Sequence, residues 1–203
     1  MASVVIKNWD NKTWLSSQKY INSFNRFLIK NFNLNSNSKI LDIGCGRGKI
    51  VGALNYSSTD NHKFDLILIK HTIHLMKLAE IKRLLRLLKK KLNSKGKILI
   101  FTLETNKNEI PTFKLMKNKL EQSLKRDQEI LKIITKLYPY RKKKKFFFDV
   151  KVQKKEYLKM IKSRYISILL TFSREQINLG IQEIELKYKN IIRFKDKLIC
   201  IIL

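Results

Sequence analysis

The chain is poor in the residues that interrupt or cross-link a fold: among its 203 residues are six glycines, two prolines and two cysteines. Cys45 and Cys200 have neither metal-ligand spacing nor a partner pattern, so neither a disulfide framework nor a zinc site is expected. No apolar run approaches the length needed to cross a bilayer. Residues 1–7 also lack the apolar core of a signal peptide. These absences favour a reduced, cytoplasmic protein without a membrane partner.

Acidic residues are scarce as well, because 16 Asp and Glu face 44 Lys and Arg, a net charge of +28. Such a charge is compatible with nucleic-acid binding. However, lysine far outnumbers arginine, and Asn and Ile are abundant, as an AT-rich coding bias would produce. Most basic residues alternate with Leu and Ile at helical spacing, and only 141–145 forms a dense block. We therefore favour compositional bias over a nucleic-acid partner, and both remain open.

Three of the six glycines fall in one pentapeptide, at Gly44, Gly46 and Gly48. Residues 39–43 before them have the pattern of a short buried strand, and a helical pattern follows. Strand, glycine turn and helix in this order are typical of a dinucleotide-type fold, where a ligand rests against open backbone and a helix N-terminus. The glycines permit a tight reversal, close approach of a ligand to the backbone, and close packing of helix on strand.

The segment L-D-I-G-C-G-R-G resembles the first motif of the class I S-adenosylmethionine-dependent methyltransferases, in their small-molecule, type-11-like branch. Two further segments agree. F-D-L-I-L-I-K-H-T-I-H-L is similar to the fourth motif of that family, and L-N-S-K-G-K-I-L-I-F is similar to its L-x-P-G-G-x-L segment, with Ser94 where proline is usual. The resemblance implies a transferase that uses S-adenosyl-L-methionine as the methyl donor for methylation of a small-molecule acceptor.

Alternating strand and helix patterns predict an α/β fold, a Rossmann-like and mostly parallel sheet with helices on both faces. We expect one methyltransferase-like domain over 1–203, with an N-terminal helical cap at 8–32, a core at 38–150, and lid helices with the last strand at 151–203. The predicted strands are 39–43, 64–69, 97–103, 146–152 and 191–202, and the predicted helices are 10–31, 47–56, 76–92, 112–137, 154–170 and 173–190.

The chain departs from the family between Gly48 and Phe64, because 49–63 offers room for one helix and a return loop. A further strand–helix–strand unit takes roughly 30 residues. The sequence therefore predicts a fold truncated relative to the seven-stranded methyltransferase fold, lacking the second and third strands, with atypical packing of helix 47–56. Asp60 is the only acid in the gap. It is either a substitute ribose ligand or a solvated loop residue.

The resemblance also implies site residues. His71 and His74 follow the second predicted strand, where acceptor chemistry occurs in this family, and are the candidate catalytic bases. For each of them, a packing or helix-start role is an equal alternative, and no metal site is expected, since a third ligand is missing. The candidate cofactor-binding residues are Asp42, Gly44, Cys45, Gly46, Arg47, Gly48 and Asp60.

These observations predict a methyltransferase acting on a small molecule, with activity impaired by an internal deletion at 49–63. Two alternatives stay open. One is a catalytically inactive, methyltransferase-like remnant. The other is a basic RNA-binding protein or RNA methyltransferase, which the net charge of +28 would suit.

Overall fold

Five strands form one sheet in the structure, a computed structural model that describes residues 13–43 and 63–203. Their order across the sheet is β1-β2-β3-β5-β4. β1, β2 and β3 are parallel, and β5 runs antiparallel to both of its neighbours, β3 and β4. Four strands therefore point one way, which confirms the mostly parallel α/β sheet. The strands are β1 (Ile40–Ile43), β2 (Phe64–Lys70), β3 (Leu92–Leu103), β4 (Lys142–Gln153) and β5 (Ile191–Ile202).

Within the described residues, five α-helices connect and cover these strands: α1 (Gln18–Phe32), α2 (Leu78–Lys90), α3 (Lys114–Leu137), α4 (Lys154–Lys162) and α5 (Arg174–Lys187). The N-terminal helix starts later than the predicted residue 10. A 3₁₀-helix at Trp14–Ser16 comes first, and the Ser17 side chain then caps α1 by accepting a hydrogen bond from the backbone N–H of Tyr20. No helix within 13–43 or 63–203 is long and apolar enough to span a membrane.

Strand alternation divides the core between the two faces of the sheet. On β2, Leu66 and Leu68 face one cluster, which contains residues of α1, α4 and α5. Ile67 and Ile69 face the other cluster, which contains residues of α2 and the C-terminal part of α3. Successive strand residues point to opposite faces, so a continuous apolar run marks a strand that is covered on both sides. The prediction of helices on both faces is thereby confirmed.

Two sequence expectations about β3 and β4 were wrong. The strand predicted at 97–103 begins earlier, because residues 93–96 also belong to β3. A Cβ at Gly96 would lie 2.6 Å from the carbonyl oxygen of Phe64, so this glycine permits a close approach of β2 to β3. The charged block at 142–145 also belongs to a strand, because it pairs with the last residues of β5.

Some predictions fall on residues that the structure does not describe. The glycine motif at 44–48, the helix at 47–56 and Asp60 all lie outside the described residues. Among the residues that are described, β1 pairs with β2 alone and forms one edge of the sheet. The absence of the family's second and third strands therefore remains a prediction.

Candidate active site

Charged side chains meet at the carboxyl ends of β1 and β2. Asp42 is paired with Leu68 in the parallel register, and Lys70 lies two residues beyond Leu68 on the same face. That face is the one covered by α1. The hydroxyl of Thr72 ties the two strand ends together, donating to the carbonyl oxygens of Lys70 (3.0 Å) and Ile43 (3.3 Å). Ligands of open α/β sheets bind at such carboxyl ends, so this position is a candidate site.

The Lys70 ammonium lies over two aromatic rings of α1. Its Nζ is 5.1 Å from the ring centroid of Tyr20 and 5.3 Å from that of Phe24. This arrangement gives cation–π attraction. Burial lowers the pKa of Lys70 to about 8, and the carboxylates of Asp196 and Asp42 limit that fall. A lysine whose pKa lies this close to neutral pH can release its proton under mild conditions.

Burial acts on Asp42 in the opposite direction. It raises the pKa of the Asp42 carboxyl to about 6, although the charge of Lys70 favours the ionised form. Near neutral pH, the Asp42 carboxylate and the Lys70 ammonium are therefore both charged, with their pKa values only about two units apart. Titratable groups whose pKa values are displaced in this way cluster at functional sites.

A second buried carboxylate, Asp196 of β5, completes the cluster with 1% of its surface exposed. It accepts a 3.2 Å hydrogen bond from the indole N–H of Trp14. Burial raises its pKa, and both the Trp14 hydrogen bond and Lys70 oppose the rise. Trp14 packs edge-on against Tyr165 and Phe194, with ring centroids 5.2 and 5.0 Å apart. Aromatic rings thus shield this carboxylate from water.

Tyr20 of α1 also brings a polar group to this site. The Tyr20 hydroxyl is buried and makes no hydrogen bond with any residue of the described chain. Burial raises its pKa well above the ordinary value, and the negative charge of Asp196 raises it further. Buried hydroxyl groups are normally satisfied, so an unpaired one beside a carboxylate suits a position that a polar ligand occupies.

The two predicted histidines follow the same strand end. His71 turns the chain with φ at +54°, and its backbone N–H donates to the carbonyl of Phe101. Its Nε2 is buried and unpaired within the described residues. Burial, then Lys70 and His74, hold its pKa well below the usual range. Burial and Arg126 also lower the pKa of His74. Both imidazoles are therefore neutral at neutral pH.

The structure thus brings Asp42, His71 and His74 to one end of the sheet, and adds Lys70 and Asp196. Lys70 had a sequence signal, because it interrupts the apolar run of β2 where the strand ends. Asp196 had little sequence signal, since an acid in a strand of alternating pattern usually lies on a solvated face. Its burial depends on Trp14, which is distant in sequence and lies before α1.

No protein-family model and no curated protein sequence matches the chain. Solved structures do match. A candidate methyltransferase from an antibiotic biosynthesis pathway of Anabaena variabilis superposes with a TM-score of 0.58 at 14% identity, covering 87% of this chain and 95% of that chain. A cyclopropane-fatty-acyl-phospholipid synthase-like protein from Lactobacillus casei gives 0.50 at 9% identity, covering 91% of each chain. A methyltransferase from Thiobacillus denitrificans, solved with S-adenosyl-L-homocysteine, gives 0.44 at 10% identity, covering 92% and 91%.

The first two superpositions show the fold. The chain has the Rossmann-like α/β fold found in the methyltransferase from Anabaena variabilis. At identities of 14% and 9%, the methyl acceptor and the roles of individual residues cannot be transferred from those proteins to this chain.

Proposed function

We propose that this chain is an S-adenosylmethionine-dependent methyltransferase that acts on a small molecule. The observation that carries the proposal is the position of Asp42 and Lys70 at the carboxyl ends of adjacent parallel strands, in a fold that matches a methyltransferase. In the sequence, the glycine motif at 44–48 follows β1 directly. The fold, the motif and the charged cluster favour the same end of the sheet.

The donor supplies a methyl group on a sulfonium centre together with an amino-acid tail. Asp42 suits the ammonium group of that tail, because its carboxylate is ionised at neutral pH and already faces a cation. The backbone of 44–48 and Asp60 are the proposed remaining contacts, by resemblance to the family. The buried, unpaired hydroxyl of Tyr20 fits a polar ligand on the same face.

The chain's own residues would then position the acceptor and remove water from it. Methyl transfer is mainly a matter of positioning, and a base helps only when the acceptor loses a proton. His71 and His74 are neutral imidazoles that can accept that proton. Lys70 Nζ is a third candidate, which becomes available as pH rises towards about 8.

The shortened segment at 49–63 belongs to the same proposal. If the strands that line the adenosine side are missing, the donor keeps its contacts to Asp42 and loses those to the ribose. We therefore propose weak donor binding, with a dissociation constant nearer to millimolar than to micromolar, a difference of about 4 kcal/mol.

Calorimetric titration with S-adenosyl-L-homocysteine tests the proposal. We expect saturable binding to the natural chain. Asp42→Asn should weaken it about tenfold or more, since a charge-assisted hydrogen bond contributes roughly 1.5–3 kcal/mol. Asp149→Asn is the control, because that carboxylate is exposed at the far edge of the sheet and should leave binding unchanged.

Absence of heat at millimolar ligand from the folded protein would overturn the enzyme proposal. It would favour the alternative of an inactive, methyltransferase-like remnant. Equal weakening by both variants would show that Asp42 does not contact the ligand, while the proposal that the chain binds the cofactor would still hold.

A further inference from the structure

One edge of the molecule concentrates positive charge on exposed side chains that take no part in the candidate active site. The segment 141–162 comprises β4, the edge strand, and α4, which follows it directly. Its only acids are Asp149 and Glu156. We call this surface the basic edge, and its basic residues are Arg141, Lys142, Lys143, Lys144, Lys145, Lys151, Lys154, Lys155, Lys159 and Lys162.

Part of this charge is locally neutralised and part is not. Lys145 pairs with Glu104 at 2.8 Å, and Lys159 pairs with Glu156 at 2.9 Å. Within the described part of the chain, Lys151, Lys155 and Lys162 are exposed and have no acidic partner. An exposed row of uncompensated cations attracts a polyanion.

The exposed face of β4 continues the row across two strands. Lys151 is paired in register with Arg193 of β5, and both are exposed. Phe147 lies on the same face, four residues earlier, with 49% of its surface exposed. An aromatic ring among cations offers a stacking surface beside charges that hold phosphates.

A groove of about 760 Å³ opens between α4 and α5 at the end of this row. Its floor is apolar, formed by Leu158, Ile181 and Ile191. Its polar lining comprises three side-chain amides, one acid and four lysines of α4: Gln153, Asn178, Asn190, Glu185, Lys154, Lys155, Lys159 and Lys162. The lysines therefore outnumber the single carboxylate four to one. An apolar floor with amide donors and acceptors suits one planar base, and the lysines suit its phosphates.

Two simpler explanations account for less of this surface. Lysines on an edge strand discourage pairing with another sheet, which explains 142–145. That explanation does not account for Lys155 and Lys162, because these lysines lie on the helix α4. A coding bias towards lysine explains the number of lysines, but not their gathering around the groove.

We propose that the basic edge binds single-stranded nucleic acid, with the phosphate backbone along β4 and α4 and one unstacked base in the groove. This function is independent of methyl transfer. We commit to a single strand because only an unstacked base can reach the apolar side chains that line the groove, whereas the bases of a duplex remain stacked.

The first test measures how affinity depends on salt. Fluorescence anisotropy with labelled oligouridylate and oligothymidylate should give a steep slope of log K against log salt. The variant Lys151→Gln/Lys155→Gln/Lys162→Gln should reduce that slope by about 2, since each phosphate contact on a single strand contributes about 0.7.

A matched control separates a local surface from bulk charge. The variant Lys90→Gln/Lys95→Gln/Lys97→Gln removes the same charge at the opposite end of the sheet, where α2 ends and β3 begins. Its slope should remain near that of the natural chain. Equal losses in the two variants would overturn the proposal, because net charge alone would then explain binding.

The second test addresses the groove. Asn178→Glu adds a second carboxylate to the groove, which already contains Glu185. Leu179→Glu adds the same charge at the next residue of α5, at an exposed position that does not line the groove. Like-charge repulsion should weaken strand binding about fivefold or more in the first variant and less in the second. Equal affinities of the two variants for the strand would refute the proposal that a base binds in the groove.

Further outcomes are equally decisive. Duplex binding as tight as strand binding would contradict an unstacked base in the groove. Binding to phosphatidylserine vesicles without binding to either oligonucleotide would replace the proposal with a membrane surface. Unchanged binding of S-adenosyl-L-homocysteine by the triple variant is expected, and its loss would contradict the independence of the two sites.

Discussion

Replacing Asp42 by asparagine should stabilise the folded protein at neutral pH, by an amount that disappears in acid. The Asp42 carboxyl is half-buried at the end of β1, and burial raises its pKa from 3.8 to about 6. Near pH 3 and below, the carboxyl is protonated in both folded and unfolded chains, so its charge costs nothing. Between pH 4 and 6 only the folded chain keeps the proton. The natural protein therefore loses stability, relative to asparagine, as pH rises through this window.

The structure sets the size of this effect. The interval from 3.8 to about 6, at 1.36 kcal/mol for each pKa unit, corresponds to at most about 3 kcal/mol. Asp42 retains some contact with solvent, which screens its charge, so we expect about 1–2 kcal/mol above pH 6. The attraction to Lys70 is already contained in the pKa of about 6, because that ammonium opposes the rise.

Urea unfolding of both proteins at a series of pH values measures this difference. The advantage of Asp42→Asn should be near zero at about pH 3 and should reach its plateau above about pH 6. Asp149→Asn serves as the control, since its side chain is 88% exposed. A difference that does not change with pH, or that grows in acid, would show that burial does not raise the pKa of Asp42.

Three other substitutions test the surrounding structure. Lys70→Met should raise the pKa of Asp42 above about 6, because the ammonium that favours the carboxylate is lost; an unchanged NMR titration would contradict their proximity. Gly180→Ala should destabilise by about 1–3 kcal/mol in urea unfolding, since its Cβ would lie 2.7 Å from the ring of Phe113; a neutral effect would show a loosely packed contact. Tyr157→Phe should cost about 0.5–1.5 kcal/mol, because a buried 2.5 Å hydrogen bond to a backbone carbonyl is removed, and a gain in stability would exclude that bond.

Sequence patterns predicted the central strands well and their extensions poorly. The apolar run at 64–69 identified β2, because a strand buried on both faces has no polar alternation. The block at 142–145 has no apolar signal, yet it is strand. Its pairing with the end of β5 supplies backbone hydrogen bonds that a local pattern does not contain. Tertiary pairing overrides local preference at such an edge.

The candidate site divides in the same way. Asp42 was predicted because it stands beside the glycine motif, and the structure places it beside Lys70. Asp196 was not predicted, since its burial requires Trp14 to fold over β5 from the other end of the chain. Contacts between residues so far apart leave no periodic trace in a sequence. The roles of His71 and His74 remain proposals.

Hydrogen exchange with and without S-adenosyl-L-homocysteine tests whether the methyl donor binds at the end of β1, because it locates the ligand as well as detecting it. With the ligand bound, we expect slower exchange at the carboxyl ends of β1 and β2 and in the 3₁₀-helix Ile73–Leu75. β4 and α4 should exchange at an unchanged rate. Protection confined to β4 and α4, or no protection at saturating ligand, would contradict a methyl-donor site at the end of β1.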